Sequence, residues 1–530
     1  MNNLDKNKKL IITISVIVIL IITLGCLIKI AITGTLFGNT SKNNSSEATL
    51  VDNDEVTSQS INIEEKTSDK VDLTSVTAKV DLSSLTSSGS GVSISGTTIT
   101  VSSAGTFYFS GTASEANIVV NAGDSDKVNL VFENANITSS KTAVVNGINA
   151  KKITINLVQG STNTFTDGST YTVFTEDDEP NGTIFSKTDL DINGTGTLVV
   201  NSNYEDGIVS KDDLVIEGAT IKVTAKDDGI RGKDSVTINN ANITVTSTGD
   251  AIKATNDTDS SKGYISINGG TFDLTSQSDG IQAETVLKIT DGNFTIKTTG
   301  VITNDESYKA LKAGTLMEIS GGTFNINSTD DGIHSNANLS ITGGDFTITS
   351  KDDGVHADGL IQIDNGTFNI TGAEGIEATY VKINGGTINI SASDDGINAG
   401  NKSSDYSVVI EINGGDITIK MGSGDTDGID SNGNLYINGG TVNVTGNSAF
   451  DYDGTAQHNG GTIIVNGTQT DTITNQFMGG GRNGRWYDAR WSRSNATRTT
   501  RWNARSRKTK IEKTKKYEKE SLGNFLNSLF

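Results

Sequence analysis

The sequence contains few of the residues that define several common protein classes. Among its 530 residues there are one cysteine, one proline and three histidines. The single cysteine, Cys26, excludes a disulfide framework and a zinc site built from cysteine thiolates. The near absence of proline leaves the backbone amides free to donate hydrogen bonds, as stacked β-strands require. A net charge of −21 argues against general nucleic-acid binding, so no nucleic acid is expected among the partners.

Positive charge is concentrated at the C-terminal end of the chain. From Arg482 onward, 14 Lys and Arg face 4 Asp and Glu, which is a net charge of +10. All three tryptophans lie in this stretch, and Arg231 is the only arginine outside it. We predict that residues 476–530 form a basic, disordered tail. Contact with an anionic wall polymer, or a reading-frame artefact in the gene, would also account for this composition.

The N-terminal region predicts a membrane anchor. Residues 10–32 form an apolar run broken by one lysine, and about 20 apolar residues suffice to span a bilayer. The basic residues 1–9 are expected to stay in the cytoplasm, which places the rest of this single-pass chain outside the cell, on a Gram-positive surface. Lipidation at Cys26 and cleavage as a signal peptide are the alternatives. Residues 33–72 are polar without a sustained period and predict a flexible stalk.

One repeated unit fills residues 73–475. An Asp-Gly-aliphatic motif recurs through this region, and the steps between uninterrupted copies are 21 or 22 residues. A short apolar strand and a GGTF-like strand run in phase with the motif. Each unit therefore has three strand-like pieces separated by Gly, Asn and Asp turns. This pattern predicts an all-β fold, a single-stranded parallel β-helix with about 22 residues and three strands per coil. A sandwich or propeller is the all-β alternative.

A second acid precedes the Asp-Gly motif in several units. A turn explains one aspartate before glycine but not a pair of them. Carboxylates about 5 Å apart on stacked coils repel by roughly 3 kcal/mol at an effective dielectric constant of about 20. Because oxygen clusters of this kind suit Ca²⁺, we predict calcium as the cofactor. The candidate ligands are Asp206, Asp227, Asp228, Asp250, Asp330, Asp331, Asp352, Asp353, Asp394 and Asp395.

The position after the aliphatic residue of the motif is predicted to point outward. Down the middle units this position is basic or neutral, and Ca²⁺ next to basic side chains suits a polyuronate chain. A surface of mixed charge is the simpler explanation. His334 and His356, one unit apart, are either a metal site or a stacked surface pair. The candidate carbohydrate-binding residues are Arg231, Lys253, Lys309, Lys312, His334 and His356.

The repeated INGGT and DDGI words resemble those of a family of bacterial surface carbohydrate-binding proteins. KTDLDINGTGTLVV at 187–200 and YEDGIVSKDDLVIEGATIKVTAKDDGIRGKD at 204–234 carry the resemblance, which covers nearly all of residues 80–475. It implies a calcium-binding, right-handed parallel β-helix, similar in fold to the pectate lyases of polysaccharide lyase family nine. It also implies binding of cellulose or of acidic polysaccharide such as polygalacturonate.

We therefore expect a non-catalytic, calcium-stabilised carbohydrate-binding protein, monomeric and held at the cell surface. A pectate-lyase-like enzyme is the second hypothesis, because calcium and a lysine could together remove the proton next to a uronate carboxylate. Lys309, Lys312, Lys253 and Arg231 are the basic residues that would serve. A structural adhesin or stalk without a sugar ligand is the third.

Overall fold

Equivalent strands of successive repeats lie side by side and run in parallel. In the computed structural model, which describes residues 63, 65–175, 179–301, 308–424 and 426–476, Ile230–Gly232 pairs with Ile252–Ala254, and that strand pairs with Ile281–Ala283. Each repeat is thus one coil, stacked about 4.8 Å from the coil before it. The described residues contain strands and no helix. The prediction of an all-β fold built from repeats is confirmed.

The described part of the chain contains 42 strands. The first half comprises β1 Ala78–Asp81, β2 Thr86–Gly89, β3 Val92–Ser95, β4 Thr98–Val101, β5 Gly105–Ala113, β6 Asn117–Asn121, β7 Lys127–Ser139, β8 Val145–Asn149, β9 Lys152–Leu157, β10 Thr162–Asp167, β11 Gly182–Ser186, β12 Asp189–Gly194, β13 Thr197–Asn201, β14 Asp206–Ser210, β15 Asp213–Glu217, β16 Thr220–Ala225, β17 Ile230–Gly232, β18 Ser235–Ser247, β19 Ile252–Ala254, β20 Tyr264–Ser276 and β21 Ile281–Ala283. The second half comprises β22 Val286–Thr298, β23 Leu311–Ala313, β24 Leu316–Ile319, β25 Thr323–Asn327, β26 Ile333–Ser335, β27 Asn338–Ile341, β28 Asp345–Thr349, β29 Val355–Ile363, β30 Thr367–Gly372, β31 Ile376–Ile383, β32 Thr387–Ala392, β33 Ile397–Ala399, β34 Val409–Ile412, β35 Asp416–Met421, β36 Asp427–Ser431, β37 Asn434–Ile437, β38 Thr441–Thr445, β39 Ser448–Tyr452, β40 Ala456–His458, β41 Thr462–Val465 and β42 Thr468–Thr470.

Each coil adds one strand to each of three parallel sheets. The first sheet contains the short strands that follow the Asp-Gly motif, such as β17, β19, β21 and β23. The second contains strands such as β12, β15, β24 and β27, and the third contains β13, β16, β25 and β28. The long strands β18, β20 and β22 pass through the second and third sheets without a break.

Antiparallel pairs occur only at the two ends of the described stack. Near the start β1 pairs with β2 and β3 with β4, and at the finish β41 pairs with β42. Short hairpins at the ends of a repeat array cover the strand edges that would otherwise accept another chain.

The core is a column of apolar side chains that alternate with exposed polar ones. In β25 the sequence TFNIN buries Phe324 and Ile326 and exposes the residues between them. Five phenylalanines on the third sheet stack on one another with ring centroids 4.6–4.7 Å apart: Phe272, Phe294, Phe324, Phe346 and Phe368. The turn before each ring must lack a side chain, since a Cβ on Gly344 would lie 3.0 Å from the Phe346 ring, and the φ of Gly344 is +115°.

The polar segment before residue 73 is not a free stalk along its whole predicted length. Ser68 donates its backbone N–H to Glu217 Oε2 at 2.8 Å, and Asp69 donates its own to Asp191 Oδ2 at 2.9 Å. The Asn193 side chain donates to the Asp69 carbonyl at 2.7 Å. The last residues of the predicted stalk therefore lie along the second sheet, held by acceptors spaced one coil apart.

The predicted anchor at 10–32 and the predicted tail lie outside the described residues, apart from the tail's first residue. Within the described ranges, no helix has the length and apolar character that a membrane crossing needs.

Substitution of Phe324 by Ala should lower the free energy of unfolding by about 3–5 kcal/mol, because it opens a cavity in the middle of the phenylalanine stack. Asn325→Ala, on the exposed face of the same strand, is the matched control and should change it by less than about 0.5 kcal/mol. Urea unfolding followed by circular dichroism measures both. Equal midpoints for the two variants would contradict the assignment of the stack to the core.

Candidate ion and carbohydrate site

The aspartates of the Asp-Gly motif, and the Lys and Glu that replace two of them, form a column on the edge of the first sheet. The column is buried from its first member to Asp353 and half-buried after it. We call this set the acid column: Asp206, Asp228, Asp250, Asp279, Lys309, Asp331, Asp353, Glu374, Asp395 and Asp427. The side chain of Asp206 accepts the backbone N–H of Asp228 at 2.9 Å, and Asp228 in turn accepts that of Asp250 at 2.9 Å. The pattern repeats between Asp331 and Asp353 at 3.1 Å. One carboxylate oxygen of these residues thus joins two coils.

In several coils the second carboxylate oxygen of the acid-column residue lies close to a cation. That cation is the residue that follows the aliphatic position of the motif. Arg231 lies 2.5 Å from Asp206, Lys253 lies 2.6 Å from Asp250, and Lys312 lies 3.2 Å from Asp279. These three cations are partly exposed. They belong to the outward positions predicted to bind sugar, and the structure places each of them against a predicted or equivalent metal ligand. The chain itself neutralises much of this part of the column.

Lys309 takes the place of an aspartate within the acid column. Its backbone N–H donates to Asp279 at 2.7 Å, and its Nζ lies 3.0 Å from Asp330 and 2.5 Å from Asp331. Burial disfavours the ammonium form, but Asp331 and Asp330 outweigh burial and raise the pKa of Lys309. Lys309 is therefore a buried, protonated partner of two acids, not an exposed side chain.

His334 and His356 are buried and stacked, with ring centroids 4.6 Å apart. The prediction of outward side chains is wrong for this pair. Each imidazole folds back on the acid three residues earlier, so that Nδ1 lies 2.8 Å from Asp331 or Asp353. Burial and Lys309 lower the pKa of His334 to about 4. Burial also opposes the charge on His356, but hydrogen bonds with Asp353, Asp358 and Glu377 raise its pKa well above the ordinary value.

The second acids of the paired motifs are mostly exposed. Asp227, Asp352 and Asp394 face solvent, whereas Asp330 is buried beside Lys309. The ligand atoms of several groups lie within 4.8 Å of one another: Asp206, Asp227 and Asp228; Asp330, Asp331 and Asp352; Asp331, His334 and His356; Asp353, His356 and Glu377; and Asp189, Asp212 and Asp213. The structure thus assembles two of the predicted all-aspartate clusters, each beside a cation of the chain.

The last coils of the acid column bring several carboxylates together. Burial raises the pKa of Asp395 to about 7, and the carboxylates of Asp394 and Asp427 add to the shift. Burial also raises the pKa of Asp430 to about 7, helped by the nearby carboxylates of Asp395 and Asp451. Charge accumulates here because Asn398 and Asp430 stand where earlier coils place Lys or His.

Several members of the site are absent from the sequence-based prediction, and three of them show why. Asp279 follows a serine and lacks the second acid on which the prediction of metal ligands rests, Glu377 follows the histidines of a column predicted to be basic or neutral, and Lys402 lies in a loop. The structure joins the last two, with Lys402 Nζ 2.6 Å from Glu377 Oε1. The repeat places Glu377 next to His356, so its position could have been found from the sequence. Lys402 lies in a loop outside the repeat, so the period gives no indication of its contact.

A shallow polar groove follows the turns that enter the third sheet. It is lined by Asp291, Gly322, Thr323, Gly343, Gly344, Asp345, Asn365, Gly366 and Thr367. Beside it, the exposed face of β25, β28, β30 and β32 carries mainly hydroxyl and amide side chains. This flat face bears little charge, in contrast to the acid column.

Comparison with known proteins places the chain in a family. The profile of carbohydrate-binding domain-containing proteins matches residues 95–354 and 349–477, which together span most of the described structure. The chain belongs to this family.

One relative and one solved structure are similar to parts of the chain. A carbohydrate-binding domain-containing protein from Acetivibrio thermocellus is 36% identical over 128 residues, which are 24% of this chain and 45% of the relative. The chain thus spans less than half of that relative's length. The structure of a polysaccharide lyase-like protein from C. thermocellum, determined as a gadolinium derivative, is 28% identical. The match covers 54% of this chain and 97% of that chain, with a TM-score of 0.40.

Lys309→Met should lower the free energy of unfolding by about 3–5 kcal/mol at neutral pH, because it leaves Asp330 and Asp331 buried without their cation. Burial opposes the charge on Asp331, yet Lys309 and His334 hold its pKa below the ordinary value. The stabilisation is therefore complete above about pH 4, the ordinary carboxyl pKa, and is lost as the pH falls through the lowered one.

Denaturant unfolding of wild type and Lys309→Met at pH 7 and pH 3 tests this, with the exposed Lys351→Met as control. The difference in free energy of unfolding between wild type and Lys309→Met should be smaller at pH 3 than at pH 7. Equal stability of the two proteins at pH 7, or a larger difference in acid, would contradict the ion-pair assignment.

Proposed function

We propose that this protein binds polysaccharide without cleaving it, and that Ca²⁺ stabilises the site. Membership of a carbohydrate-binding family supports the first part. The observation that carries the second is the run of carboxylates in the last coils, where Asn398 and Asp430 replace the Lys and His of earlier coils. A cluster of hard oxygen donors with excess negative charge is the donor set that Ca²⁺ prefers.

We place the calcium seat at Asp394 and Asp395, together with their neighbours Asp427 and Asp430. The backbone N–H of Asp427 donates to Asp395 Oδ1 at 3.1 Å, which links the two coils. In earlier coils a cation of the chain competes for the same oxygens, as Arg231 does at Asp206. Asp394 is exposed and Asp395 half-buried, so an ion could enter from solvent. Bound Ca²⁺ would supply positive charge in coils where Asn398 and Asp430 replace the Lys and His of earlier coils.

An acidic glycan such as polygalacturonate needs this ion. In the coils of Arg231, Lys253 and Lys312 the cations are already paired with carboxylates, so a glycan carboxylate gains little from them. A Ca²⁺ ion held by the protein can accept oxygens of the glycan as further ligands. Arg231, Lys253 and Lys312 then lie along the first sheet as partly exposed donors to sugar hydroxyls, over about 14 Å in three steps between coils.

A neutral glycan such as cellulose is a second candidate ligand. The observation that favours it is the flat face of Thr and Asn side chains on the third sheet, beside the glycine-lined groove. Such a face offers regularly spaced donors and acceptors with little net charge. Binding there would need no ion.

A lyase activity is less compatible with the contacts. A general base must be deprotonated near the operating pH. Burial opposes the charge on Lys253, but Asp250 and Asp228 raise its pKa, and Lys309 is held in the same way by Asp331 and Asp330. Both lysines are therefore held in the protonated form.

We further propose that the coils wind into a right-handed parallel β-helix. Parallel pairing between strands one coil apart supports this, because connections between parallel strands of one sheet are right-handed in about 98% of cases. The apolar run at 10–32 supports a single membrane anchor that keeps the monomeric protein at the cell surface, with its bulk outside.

Full-length protein in mild detergent should be retained on immobilised polygalacturonate with Ca²⁺ and released by a chelator, without formation of unsaturated uronide. The double variant Asp394→Asn/Asp395→Asn should weaken retention at least tenfold, because it removes two hard ligands. Asp273→Asn/Asp416→Asn removes the same charge from exposed positions of the third sheet and should leave retention unchanged.

Each alternative outcome has a definite meaning. Chelator-insensitive retention on cellulose that neither double variant alters would favour the neutral-glycan face and contradict the calcium seat. Release of unsaturated product would establish a lyase. Retention on neither glycan would contradict the proposed function and leave the adhesin hypothesis.

A further inference from the structure

Asp353, His356 and Glu377 form a group of three buried side chains from two adjacent coils. His356 Nδ1 lies 2.8 Å from Asp353 Oδ2 and 2.9 Å from Glu377 Oε2. All three residues are buried, with 4–7% of their surface exposed. The parallel register places Glu377 directly beside His356. Asp353 precedes His356 by three residues in the same coil. The arrangement therefore follows from the stacking of the coils.

His356 Nδ1 has two carboxylate neighbours but can donate only one hydrogen. An imidazole Nδ1 carries at most one hydrogen, whereas two carboxylate oxygens lie within hydrogen-bond distance of it. A single N–H has to be shared between the two carboxylates, in a site with little access to water. A cation held between the nitrogen and the two oxygens would satisfy all three atoms.

The surrounding contacts orient these atoms as they are oriented in metal sites. His356 Nε2 lies 3.3 Å from Asp358 Oδ1, and metal-binding histidines usually donate their second N–H to such a carboxylate. Glu377 holds Lys402 through its other oxygen at 2.6 Å, which leaves Oε2 directed at His356. His356 and Glu377 thus each have a second partner that fixes the direction of the ligand atom.

The spacing and the donor types identify the class of ion. The three ligand atoms lie within 4.8 Å of one another. In a tetrahedral site, metal–ligand bonds of about 2.0–2.2 Å separate adjacent ligand atoms by about 3.3–3.6 Å, so the two contacts of His356 Nδ1 need to open by about 0.4–0.8 Å. One imidazole nitrogen with two carboxylates suits Zn²⁺, Co²⁺ or Mn²⁺, whereas Ca²⁺ prefers oxygen ligands alone.

We propose that Asp353, His356 and Glu377 form a binding site for a divalent transition-metal ion of the zinc type, distinct from the calcium seat in the last coils. The ion links two adjacent coils in the second half of the acid column. His334, stacked on His356 and paired with Asp331, is positioned to add a further ligand from the coil before. This site reassigns Asp353, one of the residues predicted to bind calcium.

The test uses full-length protein without a histidine tag, in mild detergent, freed of metal and titrated with Co²⁺ in millimolar Ca²⁺. Wild type should bind one equivalent with a visible ligand-field spectrum, and one equivalent of Zn²⁺ should bleach it and raise the thermal unfolding midpoint. His356→Asn and the milder Glu377→Gln should each weaken Co²⁺ binding at least tenfold. The third histidine provides the matched control, and His458→Asn should bind as wild type does.

Failure of this site can be told apart from failure of the calcium seat. Asp394→Asn/Asp395→Asn should keep its Co²⁺ spectrum while losing glycan retention. Circular dichroism of each variant shows whether it folds, and Glu377→Gln decides the matter if His356→Asn does not. Absence of Co²⁺ binding by wild type, binding retained in Glu377→Gln, or equal loss in His458→Asn would overturn the proposal.

Discussion

In-register stacking of parallel coils is the constraint on which the rest of this structure depends. Because equivalent strands lie about 4.8 Å apart, each side chain has its counterpart from the next coil as its nearest neighbour. For apolar residues this is favourable, and the stacked rings from Phe272 to Phe368 show the result. For charged residues the same geometry brings like charges together, so an acid repeated in every coil has to be compensated.

The acid column shows how the chain compensates. One oxygen of Asp206, Asp228 or Asp331 accepts a backbone N–H from the next coil, which turns a repeated acid into a repeated link between coils. The other oxygen meets a cation in the early coils. Lys309 supplies a positive charge from within the column itself. In the coils after Glu374 these cations give way to Asn398 and Asp430, and we propose that an ion from solvent balances the charge there.

The sequence predicts the repeat and the core well, because both follow from periodicity. A 21- or 22-residue step with alternating apolar residues is enough to place Phe324 and Ile326 inside. It does not show how a side chain bends after it leaves the backbone. His334 and His356 occupy outward positions by alternation, yet their rings fold back to acids three residues earlier and become buried. Pairing by a loop residue such as Lys402, or docking of residues 66–69, has no periodic signal at all.

We propose that the chain's own cations neutralise the acid column in its early coils and that Ca²⁺ does so in its last ones. Crystals grown in Ca²⁺, with anomalous scattering recorded at a long wavelength, would locate the ion. We expect a calcium peak beside Asp394, Asp395 and Asp430, with Arg231 and Lys309 still paired to their aspartates. A peak seated between Asp206 and Asp228 with Arg231 displaced, or the absence of any peak in the last coils, would contradict it.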